Sequence, residues 1–162
     1  MSHASRKLLF LCTLLGSVFW TGCLEKTLFP AVLLTVTAVT PYKVQPTIAE
    51  ASGTANLPTV VVSLRADTAV PAKLTGFAIS YATAVGEPIG QLAVPFTPYN
   101  LVLETGATTQ ITFSPYTSRV VSLFELSTSD IAPITTKILM TIEDQNRNTI
   151  TKEAHCLLYK PE

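Results

Sequence analysis

The fold is decided by residues 138–159, which read ILMTIEDQNRNTITKEAHCLLY. Ile138, Met140 and Ile142 stand at every second position, so in an extended chain their side chains share one face. Residues 144–148 (DQNRN) are rich in turn-forming side chains, and residues 149–159 then alternate again. This pattern predicts a β-hairpin that ends the domain.

Upstream of the hairpin, short alternating segments recur and are separated by Gly, Pro, Asn and Asp. The predicted strands occupy residues 32–39, 58–66, 74–82, 92–96, 101–103 and 111–113. Residues 120–126 fit a buried strand or a single helical turn equally well, and no segment has a convincing amphipathic helical pattern. We therefore expect an all-β fold, an antiparallel immunoglobulin-like β-sandwich of about seven to nine strands, with a β-barrel as the alternative.

The composition bounds the function classes. The chain has 162 residues, with 11 Lys or Arg against 11 Asp or Glu and a formal net charge of zero. No basic field for nucleic acid is present. Because 48% of the residues are hydrophobic and only 14% are charged, a wholly disordered chain is excluded and one globular domain is expected.

The N-terminus has the layout of a secretory signal peptide. Arg6 and Lys7 precede residues 8–20, a run that is apolar except at Thr13, Gly16 and Ser17. A helix of that length spans roughly 20 Å, which is short of the roughly 30 Å hydrocarbon core of a bilayer. We predict that residues 1–22 are a signal peptide rather than a transmembrane helix.

The run ends in Trp20-Thr21-Gly22-Cys23, which resembles the lipobox of bacterial lipoproteins, although that family usually has an aliphatic residue where Trp20 stands. The resemblance implies cleavage between Gly22 and Cys23 and acylation of Cys23. It implies residues 23–30 as a lipidated tether, residues 31–162 as the domain, and a membrane-anchored place in the bacterial cell envelope. Leu24 would direct the protein to the outer membrane in a diderm. The alternatives are a plain secreted protein and an uncleaved anchor.

The three cysteines do not provide an intramolecular disulfide. Cys12 lies in the signal and Cys23 would be acylated, which leaves Cys156 alone. Cys156 alternates with Ala154 and Leu158, so we expect it to face inward as a small hydrophobe, and its neighbour His155 to face outward.

One sequence pattern resembles a metal site. Asp144, Asn146 and Asn148 have the spacing that opens an EF-hand calcium loop, but Thr149 and His155 stand where that loop needs glycine and glutamate. Because Asp and Asn also favour hairpin turns, we interpret these residues as a turn and keep calcium only as a weak candidate. No cofactor is predicted.

The sequence favours a non-catalytic envelope module that binds a protein or supports an assembly. It contains none of the serine-hydrolase, zinc-protease or phosphate-loop motifs. Aromatic side chains in proline-containing loops, Phe96, Tyr99 and Tyr116, are the exposed candidates for anchoring a partner. For these side chains, the alternative is that they cap the end of the sandwich core. The alternative is a secreted or periplasmic hydrolase with an unrecognised site, which would require a cleft that gathers Glu104, Asp130 or Glu143.

Overall fold

The hairpin predicted at the C-terminus is present in the computed structural model, which describes residues 32–53, 57–67, 71–127 and 131–162. Its two strands pair antiparallel from Ile134 opposite Leu158 to Glu143 opposite Thr149. In the first strand every second side chain is buried, so the period of two in the sequence becomes one face packed into the core.

The described residues form eight strands, two α-helices and one 3₁₀ turn. In chain order they are β1 (Leu34–Thr40), β2 (Lys43–Val44), α1 (Ile48–Ser52), β3 (Val60–Ala66), β4 (Ala72–Ala82), the 3₁₀ turn (Gly90–Leu92), β5 (Val94–Leu103), β6 (Thr108–Phe113), α2 (Ser118–Leu126), β7 (Ile134–Asp144) and β8 (Thr149–Leu158). The expectation of a mainly β protein is confirmed.

The strands form two sheets. One has three strands in the order β1-β3-β6, and the other has five in the order β2-β8-β7-β4-β5. The expectation of purely antiparallel pairing is wrong at one place, because β2 runs parallel to β8, with Lys43 opposite Leu157. The reason is that the chain leaves β1 for the other sheet and there meets the last strand in the same direction.

Side chains from both sheets meet in one hydrophobic core. Val62 and Ile111 come from the three-stranded sheet, and Ile138 and Leu158 come from the five-stranded sheet. Each is at most 1% exposed. Burial of aliphatic side chains stabilises a fold by about 25 cal/mol per Å² of apolar surface, so this shared core is the main source of stability.

The ambiguous segment 120–126 is helical and belongs to α2, so the expectation that no amphipathic helix intervenes is wrong. Val120, Val121 and Phe124 are buried, whereas Leu126 is exposed. In a strand, the adjacent Val120 and Val121 would lie on opposite faces. In a helix, Val120, Val121 and Phe124 can all lie on the side that faces the core.

The short helix α1 was not predicted, although its start has a local signal. Thr47 accepts a hydrogen bond from the Glu50 backbone N–H, while the Glu50 carboxylate accepts one from the Thr47 backbone N–H at 2.8 Å. This T-x-x-E pattern is a capping box. The Thr47 hydrogen bonds also lower the pKa of Glu50 below its ordinary value.

Candidate binding surface

Three large hydrophobic side chains are exposed along β5, the edge strand of the five-stranded sheet. Phe96 is 54% exposed, Tyr99 41% and Val102 59%. We call these three residues the β5 surface. Exposed aromatic residues are frequent anchors of protein–protein interfaces, so this edge strand is a binding candidate.

The backbone of β5 departs from a regular ladder in two places. Between Val94 and Thr97 it uses two residues where β4 uses one, and it does so again between Pro98 and Leu101. Each extra residue is a β-bulge, which bends an edge strand and re-aims its side chains. The two aromatic residues of the β5 surface stand within these bulges.

The Phe96 and Tyr99 rings both pack against β4, the neighbouring strand. A Cβ atom added at Gly76 would overlap the Phe96 ring, so this ring lies directly on the glycine backbone of β4. Tyr99 makes an edge contact with Phe77 at 6.1 Å between ring centroids, and Phe77 in turn contacts Phe113 of the other sheet at 5.0 Å. Gly76 and Phe77 are neighbours in β4 and therefore face opposite sides of the sheet. Tyr99 is thus continuous with the core through Phe77, whereas Phe96 lies on the outer face of the sheet.

The expected exposure is confirmed for Phe96 and Tyr99, but both lie in a strand rather than in a loop. For Tyr116 the expectation of exposure is wrong. Tyr116 is 0% exposed, its ring stacks on Phe124, and its hydroxyl donates a 2.9 Å hydrogen bond to the carbonyl oxygen of Tyr159. Burial also raises the pKa of Tyr116 above its ordinary value.

A cavity of about 290 Å³ adjoins the β5 surface at the end of the sheet. Val102 lines it together with Lys73, Glu143 and Arg147. A second shallow groove of about 320 Å³ runs between the 3₁₀ turn and α2, where Leu123 and Leu126 lie beside Arg119. Apolar and charged residues line both depressions, as they line protein interfaces.

The weak calcium candidate forms the hairpin turn. One carboxylate oxygen of Asp144 accepts hydrogen bonds from the backbone N–H groups of Asn146 and Asn148, both at 2.8 Å. Its other oxygen accepts the Asn148 side-chain amide at 2.9 Å, and these bonds lower the pKa of Asp144. Arg147 takes a positive φ of 64°, which closes the turn. One Asp144 oxygen thus holds the backbone of the turn, and the other holds the Asn148 side chain.

The predicted orientations of the neighbours His155 and Cys156 are confirmed. Cys156 is 0% exposed, and burial raises the pKa of its thiol to about 11, an effect that the nearby Thr136 hydroxyl partly opposes. His155 is exposed on the other face, with its Nε2 atom 3.6 Å from a Glu153 carboxylate oxygen. A thiol with so high a pKa is a poor nucleophile at neutral pH.

The structure does not bring the candidate hydrolase residues into one cleft. Glu104 is exposed in the turn after β5, and Glu143 lines the 290 Å³ cavity without it. Asp130 lies outside the described residues. Within the described ranges, no group of three or more His, Cys, Asp or Glu side chains is placed to hold a metal ion.

The predicted signal peptide, its cleavage site at Gly22 and Cys23, and the tether of residues 23–30 all lie outside the described residues. Neither α1 nor α2, the helices of the described part, has the length and apolar character that crossing a bilayer requires.

No protein-family model matches the sequence, and no curated protein matches it. Among solved structures, the chain is similar to ApaA from Bordetella pertussis, with a TM-score of 0.51 and 16% identity over 81% of this chain and 96% of that one. Two weaker similarities are to the alkylpurine DNA glycosylase AlkC of Pseudomonas fluorescens (TM-score 0.38, 14% identity, 78% of this chain and 30% of that one) and to the sporulation control protein Spo0M of Bacillus subtilis (TM-score 0.40, 7% identity, 83% and 51%). The similarity to ApaA shows a shared fold and nothing about activity.

Proposed function

We propose that this protein is a bacterial envelope lipoprotein, whose non-catalytic immunoglobulin-like domain is held on the membrane by acylated Cys23 and binds another envelope protein. The domain presents the β5 surface to that partner. The proposal has three parts, the fold type, the anchor and the binding surface, and each has its own support.

The immunoglobulin-like assignment is supported by the strand order. Immunoglobulin-type sandwiches place their first, second and fifth strands in one sheet and their third, sixth and seventh in the other. If β2 is counted as a second part of the first strand and β5 as an inserted strand, the sheets β1-β3-β6 and β8-β7-β4 follow this order. The inserted strand, β5, is the one that carries Phe96 and Tyr99.

The anchor is supported by the sequence of the N-terminal segment. The apolar run of residues 8–20 is followed by a small residue, Gly22, immediately before Cys23. Several acyl chains on one residue contribute about 0.8 kcal/mol per buried methylene, which is enough to hold a soluble domain on a bilayer. Such an anchor accounts for the function of the first 23 residues and leaves the remainder free to bind a partner.

The binding role depends on one observation, the exposure of Phe96, Tyr99 and Val102 together on one edge strand. Pro95 and Pro98 lack backbone N–H groups, and the two bulges interrupt the ladder, so this edge is a poor template for an added strand. Recognition here would therefore use side chains in pockets of the partner rather than strand addition.

A photocrosslinking amino acid placed at position 96 or 102 of the full chain, in cells of the source organism, tests this role. We expect both positions to crosslink to the same envelope protein, because they belong to one surface. The matched control is position 153, which is exposed on β8 at the far side of the sheet and should give no such adduct.

A second variant shows whether the side chains carry the affinity. With the photocrosslinker at position 99, replacing Phe96 and Val102 by Ala should reduce the yield of the adduct at least about tenfold, which corresponds to about 1.4 kcal/mol of binding free energy. Equal crosslinking from position 153, or an adduct that the double substitution leaves unchanged, would contradict the proposed surface.

A further inference from the structure

The two sheets end in four edge strands, of which three are blunted. β5 has two bulges and two prolines, and β2 has only two residues. β1 slips in register between Val36 and Ala38, where the Thr37 hydroxyl donates a hydrogen bond to the Ser63 carbonyl at 3.2 Å. Bulges, prolines and short length are the devices by which proteins protect an exposed sheet edge from pairing with another chain.

The fourth edge, β6, has none of these devices. It reads TTQITF over residues 108–113, with no proline and no charged side chain. Its register with β3 runs without a shift from Thr108 opposite Arg65 to Phe113 opposite Val60. β6 is therefore a regular, uncharged edge in which every residue except Gln110 has high β-propensity.

The free side of β6 offers unpaired backbone groups. In an antiparallel pair, alternate residues direct their N–H and C=O groups away from the partner strand. In the part of the chain that the structure describes, no strand pairs with this side of β6. Ile111 and Phe113 are buried on the core face, whereas Thr108, Gln110 and Thr112 are exposed on the other face.

We propose that β6 pairs antiparallel with β6 of a second copy of this chain, which joins two three-stranded sheets into one sheet of six. The order of that sheet would be β1-β3-β6 followed by the same strands in reverse. This interface uses a different sheet from the β5 surface, and it does not depend on the proposed function.

The register of such a pair is constrained by the two faces of the strand. Residues directly opposite in an antiparallel pair have side chains on the same face of the sheet. The two such registers that pair the most residues of β6 place Gln110 opposite Gln110 or Ile111 opposite Ile111. In both registers the buried Ile111 and Phe113 continue the core face, and the exposed Thr and Gln side chains continue the outer face.

A second copy is favoured over an unrelated strand because the edge is compatible with itself. When two identical strands pair about a two-fold axis, any charged residue near the axis lies close to its own copy and is repelled by it. β6 has no charged residue, so this repulsion does not arise. Opposed Thr and Gln side chains can hydrogen-bond to one another, which contributes to cross-strand pairing. A six-residue strand pair is small beside the roughly 800 Å² per partner of a standard interface, so the dimer should depend on concentration.

Cysteine crosslinking in membranes from cells that express the full chain tests the pairing. We expect Gln110→Cys to form a disulfide-linked dimer on mild oxidation, because position 110 lies at or beside the two-fold axis in either register. The matched control is Thr35→Cys, at an exposed position on β1 at the other edge of the same sheet. It should give at least about tenfold less dimer, and the chain with only its natural cysteines gives the background.

Charge substitutions distinguish specific pairing of two β6 strands from crosslinks that form by random collision. Gln110→Lys places like charges together at the axis and should abolish association of the purified full chain in sedimentation velocity, while Thr35→Lys leaves it unchanged. Mixing Gln110→Lys with Gln110→Glu should restore a dimer. Far-ultraviolet circular dichroism checks that each variant is folded.

Three outcomes would overturn the proposal. In the first, the natural chain stays monomeric up to about 1 mM. In the second, Gln110→Lys does not prevent dimerisation. In the third, Gln110→Cys forms a crosslink to a different protein. The last would make β6 the docking strand for another protein. None of these outcomes bears on the β5 surface, whose crosslinks are read from positions 96 and 102.

Discussion

Replacing Tyr116 by Ala is expected to lower the free energy of unfolding by about 4 kcal/mol, because it removes a fully buried aromatic ring. The ring stacks on Phe124 and its hydroxyl is bonded to the Tyr159 carbonyl, so the substitution loosens both α2 and the C-terminal segment. Tyr116→Phe keeps the ring and should cost only about 1 kcal/mol, the net value of one hydrogen bond. Urea unfolding of the full chain, followed by circular dichroism, measures both effects.

Phe96→Ala is the matched control, since Phe96 is also an aromatic residue beside a proline but is more than half exposed. It should change the free energy of unfolding by less than about 1 kcal/mol. If Tyr116→Ala proved as mild as Phe96→Ala, Tyr116 would be a surface residue, as its position in the sequence first suggested, and the packing of α2 described above would be wrong.

Ile138→Ala is expected to lower the free energy of unfolding by about 3 kcal/mol, because Ile138 is 0% exposed in the middle of the five-stranded sheet. β7 pairs with β4 on one side and β8 on the other, so the structure around Ile138 has little freedom to collapse into the space left by the substitution. For a domain of this size, the loss corresponds to a melting temperature lower by roughly 10 °C.

The adjacent Leu139 is the control for this prediction. Leu139 lies on the other face of the same strand and is only half-buried, so Leu139→Ala should cost about 1 kcal/mol or less. Thermal unfolding of the two variants side by side tests which face of β7 meets the core. Equal losses, or a larger loss for Leu139→Ala, would contradict the side-chain alternation on which the two-sheet core depends.

Much of the fold could be predicted because period-two alternation reports directly on burial. β3, β4, β6, β7 and β8 each have a buried face that the sequence marks with aliphatic or aromatic residues. Alternation is weak evidence for secondary structure where the same residues would fit either a buried strand or a helix. Residues 120–126 are an example, since adjacent valines suit a buried strand, and only the packing of Phe124 on Tyr116 shows that the segment is helical.

The parallel pairing of β2 with β8 could not be predicted from local patterns. β2 has two residues, and its pairing depends on where the chain passes after β1, a property of the tertiary fold. The Thr47-Ile48-Ala49-Glu50 capping box, by contrast, was readable in the sequence and would have placed α1.

The candidate surface was predictable in part. A proline next to an aromatic residue suggests exposure, and this interpretation is confirmed for Phe96 and Tyr99 and wrong for Tyr116. The difference depends on distant contacts: Tyr116 meets the Tyr159 carbonyl across 43 positions of sequence, whereas Phe96 lies on Gly76 at the edge of a sheet. The bulges that place Phe96 there are also a product of strand pairing and leave no mark in a single sequence.

The most direct test of the proposed function is the intact mass of the protein from fractionated bacterial envelopes, beside a Cys23→Ser variant. The account predicts a membrane-bound product that has lost residues 1–22 and gained the mass of its acyl chains, and a variant that lacks both changes. A soluble product without added mass, or one that retains its first 22 residues, would contradict the lipoprotein assignment.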